Sequence, residues 1–338
     1  MKDNYLIKFQ KFLFLLKILI FGICFCEDIK FRIVTLNIWN GGIHGGGREE
    51  GLFKFAQHLA NLNADIVALQ EVLLLDDEKI IAKHLNNLQN ISDPKQKWIS
   101  VKRSCIYADT AILSRLNLTE IADDGCKTAG NGASFELNGW PINLFSLHLF
   151  WENYGPEIIR DNRDITEAKI YESEKDRIDD IEQLFLNNQQ FKDWLNKSQE
   201  LSVPLLLVGD FNTPSHQDWI EETKQSHYGR VIEWPTTKIL TEVGFIDTFR
   251  ALNDPIEEPG TTWPFNYDPA RATPDEPADR IDYIFYQGSQ LIPLEAFTYP
   301  KNKNLSPKEW PSDHAAVVVD FIWEQEVVDC DDCDENGI

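Results

Sequence analysis

Several short stretches hold polar side chains of the kinds that bind hard cations and move protons. Asn37 stands in Leu36-Asn37-Ile38-Trp39-Asn40, Glu71 in Leu69-Gln70-Glu71-Val72 and His148 in Ser146-Leu147-His148-Leu149. Asp210 and Asn212 stand in Gly209-Asp210-Phe211-Asn212, Asp282 in Arg280-Ile281-Asp282-Tyr283, and Asp313 with His314 after Ser312. Each stretch ends or opens an apolar run. Taken singly, each has an ordinary explanation. Asn37 can cap a turn, Gly-Asp-Phe-Asn can be an Asx-turn, and a lone histidine in an apolar strand is usually a satisfied core residue. Taken together, so many polar groups at the ends of buried strands cost desolvation unless they converge or bind something. Gathered carboxylates and amides suit Mg²⁺, Mn²⁺ or Ca²⁺. Two histidines beside acids can counter a phosphate charge or shuttle a proton. There is no Cys/His cluster with zinc spacing and no GxSxG nucleophile. Metal-assisted attack of water on a phosphoester is the chemistry this set suits.

The elements that must position these residues are short apolar runs. They cover residues 31–36, 66–69, 111–113, 142–149, 205–208, 281–286 and 315–321. Several are β-branched and bounded by Gly, Pro, Asn or Asp, which predicts buried strands. Helical patterns cover 52–62 and 77–88, and a longer one covers 164–185 with Ile178, Ile181, Leu184 and Phe185 as its stripe. Alternating strands and helices give an α/β class. Residues 234–277, rich in Pro, Trp and acids, are expected to form long loops.

Composition bounds the partners. The 338 residues are 43% hydrophobic and 26% charged, which excludes collagen-like, low-complexity and wholly disordered chains. The net charge of −23 argues against a broad basic surface for nucleic acid, though not against a local groove or bound cations. Residues 1–26 carry Lys2, Lys8, Lys11 and Lys17 before an uncharged run, with Cys24 and Cys26 at −3 and −1 of a cut before Glu27. This reads as a secretory signal peptide. The rival, a membrane anchor, suffers from Lys17, which leaves neither half near the ~20 residues a span needs. The expected organisation is a signal peptide at 1–26, one catalytic domain at 27–323 and an acidic Cys-containing tail at 324–338. The mature chain is expected to be secreted, without a transmembrane segment. Sequons at Asn90, Asn117, Asn196 and Asn304 fit that compartment. So do disulfides, with Cys105 and Cys126 able to pair across a loop and Cys330 and Cys333 forming a CxxC. The tail's Asp332, Asp334, Asn336 and Gly337 match half of a calcium loop but lack its distal Glu, so a solvated tail is expected.

In their order and spacing the motifs resemble the endonuclease/exonuclease/phosphatase superfamily. That group includes deoxyribonuclease I, exonuclease III, neutral sphingomyelinases and inositol polyphosphate 5-phosphatases. The resemblance runs from about Phe31 to Phe321. It implies a four-layered α/β/β/α sandwich, deoxyribonuclease I-like, with the site where strand ends of two sheets meet. It also implies roles. Asn37, Glu71 and Asp313 would form the metal site, for Mg²⁺ or alternatively Mn²⁺ or Ca²⁺. His148 would bond the scissile phosphate, and Asp210 with Asn212 would position the attacking water and the phosphate. His314 would be the catalytic histidine, paired with Asp282. Tyr107, in the run Tyr-Ala-Asp-Thr-Ala-Ile-Leu-Ser, sits where abasic-site nucleases have a phosphate-contacting tyrosine. The base is either Asp210 or His314.

The resemblance does not fix the phosphoester. Nucleic acid is the first expectation, with Arg48, Lys102, Arg103, Arg115, Arg160 and Arg163 as candidate backbone contacts. A phospholipid phosphodiester is the second, with Trp151, Trp219, Trp234, Trp263 and Trp310 as candidate loop aromatics. An inositol phosphate would call for a basic cluster that the sequence lacks. A secreted binding protein that kept the fold without the chemistry is the remaining alternative. The Gly-Gly-Ile-His-Gly-Gly-Gly stretch at 41–47 is not a P-loop, because no Gly-Lys-Ser/Thr follows. It is expected to be a mobile loop beside the site, with His44 near substrate. Nothing points to a stable protein partner.

Overall fold

Among the residues described, the apolar runs pair into two six-stranded sheets. The computed structural model describes residues 29–74, 76–102, 109–122, 129–265, 275–301, 305–306 and 308–323. Residues 1–26, where a signal peptide is expected, all six cysteines, Arg103, Tyr107, Asn304 and the tail 324–338 lie outside them. The first sheet contains β1 (Ile29–Asn37), β2 (Ile66–Gln70), β3 (Ile99–Val101) and β4 (Ala111–Ser114). The second contains β5 (Asn117–Ala122), β6 (Gly130–Leu137), β7 (Trp140–His148), β8 (Leu205–Asp210), β9 (Ile246–Asp247) and β10 (Asp282–Gln287). The last strands, β11 (Leu291–Tyr299) and β12 (Ala316–Trp323), return to the first sheet. The orders are β11-β12-β1-β2-β4-β3 and β5-β6-β7-β8-β10-β9. β1 runs parallel to β2, and β7 parallel to β8; the other pairs are antiparallel.

The period of two along each strand sorts side chains into layers. Ile33, Ala68, Leu144, Val208, Ile284 and Val319 meet in the core between the sheets. Val34, Leu36, Val67 and Leu69 face the other way, onto α1 (Arg48–Leu62) and α2 (Asp77–Leu88), through Phe55, Leu59, Ile81 and Leu85. On the far side, α3 (Gly155–Asp161) and α4 (Glu167–Ser173) lead into α5 (Lys175–Asn187) and α6 (Gln189–Glu200). Ile181, Leu184, Phe191 and Trp194 of these helices, with Leu240 of α7 (Pro235–Glu242), pack on Phe145, Leu147 and Leu207. The short α8 (Thr248–Leu252) adds Phe249 to the inter-sheet core. The result is the expected α/β/β/α sandwich.

Three expectations need correction. The long helix at 164–185 is two helices, α4 and α5, broken at Glu174, which is buried and turned inward. Residues 234–277 are not only loops: they hold α7, β9 and α8, with the Asp247 carboxylate accepting the Phe249 amide of α8 at 3.0 Å. The 41–47 stretch begins as a packed turn over Asn40–Gly45, with Gly41, Gly42 and Gly45 buried and His44 stacked on Trp39. No helix among the described residues is long and apolar enough to cross a membrane.

Candidate active site

The polar residues continue the inter-sheet face of their strands. In β1 the odd positions Ile33 and Thr35 point between the sheets, and Asn37 follows them. In β8 Leu206 and Val208 do the same, and Asp210 follows. Register aligns the rest: His148 of β7 and Asp282 of β10 are both paired with Asp210. Beneath them Gln70 spans the gap, bonded to Thr35 at 3.1 Å and to Ser146 of the other sheet at 3.2 Å. Within the second sheet, Gly209 lets β8 lie close against β7. Its φ is +140°, and a Cβ there would sit 2.0 Å from the Leu147 carbonyl oxygen.

Asn37 is the strut between the sheets. Its Nδ2 donates to Glu71 Oε1 at 3.1 Å and to Asp210 Oδ2 at 2.9 Å, while its Oδ1 accepts the Trp39 amide at 2.9 Å. Glu71 Oε2 accepts the Asn40 amide. Trp39, Asn40, Glu71 and Asn212 all have positive φ, at 43°, 52°, 58° and 50°. These non-glycine residues are held in the left-handed region by their surroundings, as happens at functional sites. Asn212 donates its amide to Asp210 Oδ1 and its Nδ2 to the Leu149 carbonyl, each at 2.9 Å.

Two imidazoles face Asp210. His148 Nε2 lies 3.8 Å and His314 Nε2 3.7 Å from Asp210 Oδ2. Each ring is oriented from behind, His314 Nδ1 by Asp282 Oδ2 at 2.9 Å and His148 Nδ1 by Asp109 Oδ2 at 2.8 Å. Burial alone pushes His148 down, but Asp109, Asp210 and Glu71 together outweigh it and lift the ring to about 9. For His314, burial is likewise overcome by Asp282, Asp210 and Asp313, to about 10. Burial and then Asp282 push the Asp210 carboxyl above its usual range, against the pull of both histidines.

The donor set fits a hard cation. Asp313 is pushed up to about 6 by burial and by the nearby Glu71, although His314 opposes the shift. Asp313 Oδ1 and Asp282 Oδ1 are buried with no hydrogen-bond partner among the described residues. A buried carboxylate beside a second one, with an oxygen left unpartnered, is the arrangement a divalent ion relieves. Asp210, Asp282 and His314 form a second group, with ligand atoms within 4.8 Å of one another. Within that group the 2.9 Å bond between His314 and Asp282 already satisfies one atom of each. Asp313 keeps an unbonded Oδ1 outside any such pair, and Glu71 stands near it.

Eight of the nine sequence-predicted site residues lie in this cluster of strand ends; Tyr107 falls outside the described residues. Sequence reasoning missed two groups. Asp109 lies in the same Tyr107-to-Ser114 run as Tyr107, and a second acid for the second histidine was the available signal. Thr262 gave no signal. Its hydroxyl accepts the Ile281 and Asp282 amides at 3.0 and 3.2 Å, and its carbonyl accepts the Ala315 amide at 2.8 Å, so it braces both halves of the His314–Asp282 pair. The candidate cations among the described residues are engaged within the chain. Arg48 pairs with Asp77, Arg115 with Asp65, Arg160 with Glu276 and Asp161, and Arg163 with Asp275, while Lys102 donates to the Val72 and Leu74 carbonyls. Arg115 and Asp65 flank the opposite end of β2 from Glu71. Of the candidate aromatics, Trp219, Trp234 and Trp310 are fully buried, whereas Trp151, three residues past His148, is 65% exposed.

Comparison with known proteins agrees with this architecture. A Caenorhabditis elegans protein, the uncharacterized protein F14F9.5, is 35% identical over 317 residues, which cover 86% of this chain and 90% of that one. An endonuclease/exonuclease/phosphatase structure from Beutenbergia cavernae superposes with a TM-score of 0.53 at 16% identity, over 87% of this chain and 72% of that one. TDP2 from C. elegans superposes with a TM-score of 0.50 at 18% identity, over 87% and 75%. At such identities the two structures speak for the fold. The model of the Endonuclease/Exonuclease/phosphatase family matches residues 34–314, the span from β1 to His314, and the chain belongs to that family.

Proposed function

We propose that this chain is a divalent-metal-dependent phosphodiesterase that hydrolyses its substrate by in-line attack of water. One observation carries the reading: two imidazoles, each held on Nδ1 by its own carboxylate, face Asp210 beside Glu71 and Asp313. When bound by Glu71 and Asp313, a hard cation supplies Lewis-acid polarisation of the phosphoryl oxygen and charge for the leaving oxyanion. Asp210, held by Asn37 and the Asn212 amide, takes the proton of the attacking water. His148 and His314 turn Nε2 toward the phosphate and donate to the oxygens that gain charge. Asn212 has a second Nδ2 hydrogen, beyond the one given to Leu149, for the same purpose. Asp210→Ala should lower turnover ~10²-fold or more without unfolding the chain. The test is plasmid nicking by residues 27–338 with Mg²⁺ or Mn²⁺, against EDTA and against Asp210→Ala. Activity that survives Asp210→Ala would refute the assignment.

Nucleic acid is the first substrate proposed. One observation favours the second reading, a phospholipid phosphodiester. Exposed apolar side chains follow the site residues closely: Ile43 after Asn37, Leu73 and Leu74 after Glu71, and Trp151 after His148. The described candidate cations are meanwhile tied to internal partners, which leaves little to neutralise a polyanion. Hydrolysis of sphingomyelin vesicles without nicking of plasmid would decide for the lipid. We also propose that residues 1–26 direct secretion. The exposure of Asn90, Asn117 and Asn196 supports it, and a mature N-terminus at Glu27 tests it.

A further inference from the structure

Helix α5 and the residue before it carry an unusual seam. Glu174, Arg177 and Asp180 recur every three residues on one face, where an amphipathic helix ordinarily presents core residues. Glu174 and Arg177 are both fully buried and joined at 3.3 Å. The other oxygen of Glu174 accepts the Thr213 hydroxyl at 2.7 Å and the Thr236 hydroxyl of α7 at 2.8 Å. Thr213 is the residue after Asn212. Arg177 donates to the Glu152 carbonyl at 2.9 Å, four residues past His148. Asp180 accepts the Phe150 amide at 2.9 Å, two residues past His148. Asn212 closes the circuit through the Leu149 carbonyl.

We infer that the buried Glu174–Arg177 pair is a positioning device that locks the loops after β7 and β8, and with them His148 and Asn212, into one rigid unit. The inference rests on the phosphodiesterase reading for its functional meaning. Stability alone does not explain the pair. Burying two charges costs several kcal/mol of desolvation, and an apolar pair of the same volume commonly stabilises as well or better. Nor is the pair fully satisfied, because the buried Arg177 Nε has no hydrogen-bond partner among the described residues. What an apolar pair could not do is hold a hydroxyl of one loop and a carbonyl of the other at fixed separation. Glu174 and Arg177 touch no reacting atom, so they act through Asn212 and the His148 loop.

The test compares E174A, E174Q and the control I181A in the full chain. Ile181 is a buried core residue of the same helix and touches neither loop through a polar bond. Two readouts are taken: Mg²⁺-dependent turnover of bis(p-nitrophenyl) phosphate, and amide exchange of residues 149–154 and 212–215. E174A should lower kcat at least tenfold with KM within twofold. E174Q, which keeps an acceptor for the two hydroxyls, should regain at least a third of that loss on a logarithmic scale. In an N212A background E174A should cost clearly less than it does alone, since one of its two routes is already cut. Exchange in both loops should quicken at least tenfold in E174A and not in I181A. An unchanged kcat, a fall matched by I181A, full additivity with N212A, or unaltered exchange in both loops would each overturn the inference. If the wild type turns over no phosphodiester, the phosphodiesterase reading fails by itself, and the exchange measurement alone decides whether the pair locks the loops.

Discussion

The Asp109–His148 pair allows a prediction with a worked sign. Replacing Asp109 by Asn keeps an acceptor for the His148 ring and removes a charge. His148 stands at about 9 in the folded chain against an ordinary 6.5. That difference corresponds to about 3 kcal/mol favouring the protonated ring in the native state. Burial works against it, and Asp109 comes first among the carboxylates that supply it, ahead of Asp210 and Glu71. The Asp109 side chain is 29% exposed, so solvent screens part of its effect, and about 1.5 kcal/mol is a fair share for Asp109.

Because the folded-state value lies above the unfolded one, this stability is fully present below pH 6.5. It is lost as pH rises through about 9. Wild type should therefore exceed D109N by about 1.5 kcal/mol at pH 6, and the gap should close by pH 10. Urea unfolding in EDTA at both pH values measures it, with m compared to confirm the same transition. A gap of equal size at pH 6 and pH 10 would refute the reasoning, since it would make the pair an ordinary neutral hydrogen bond. Turnover should fall about tenfold or more in the same variant, because the ring loses the charge that fixes its orientation.

Other perturbations test the remaining parts of the site. T262V leaves two buried amides without their hydroxyl acceptor; it should cost about 2 kcal/mol in urea unfolding and lower kcat more than KM changes. Saturating Mg²⁺ should stabilise the chain by relieving Glu71 and Asp313, by about 2.7 kcal/mol at a hundred times its Kd, and E71Q should abolish most of that gain in thermal unfolding. G209A forces a Cβ onto the Leu147 carbonyl at a left-handed φ. It should destabilise by about 3 kcal/mol and separate β7 from β8, which circular dichroism melts and loss of turnover would report together.

The sequence disclosed those parts of the molecule that obey one simple rule. Buried strands such as β2 and β8 are near-continuous apolar runs that end in a polar residue, so both the element and its terminal Gln70-Glu71 or Asp210 stand out. β5 and β6 did not stand out, because Asn-Leu-Thr-Glu-Ile-Ala is largely exposed and Gly-Asn-Gly-Ala-Ser is small and polar. The break at Glu174 was hidden because a buried acid mimics a solvated one in a charged helix; only its partners Arg177, Thr213 and Thr236 distinguish them. Thr262 and Asp109 escaped for a related reason. A brace is defined by what it touches nineteen or more residues away in the chain, and nothing in its own neighbourhood marks it. The candidate cations show the same limit in reverse: Arg48 and Arg115 look available in sequence and are paired in space.

Strand direction explains why the chemistry gathers at one edge. β1 and β2 are parallel, as are β7 and β8, so their carboxyl ends deliver Asn37, Glu71, His148 and Asp210 to one side, where ligands of α/β sheets bind. β12 is antiparallel to β1, and β10 to β8, so their starting ends bring His314 and Asp282 to that same side. Pleating then turns these groups into the gap between the sheets, where further along the strands Ile33, Val208 and Ile284 form dry core. Gln70, reaching from Thr35 to Ser146, is the layer at which core gives way to site. A slip of one residue in β8 would turn Asp210 toward the helices and bring Gly209 into its place. The register that packs the core is thus the register that assembles the acid–histidine cluster.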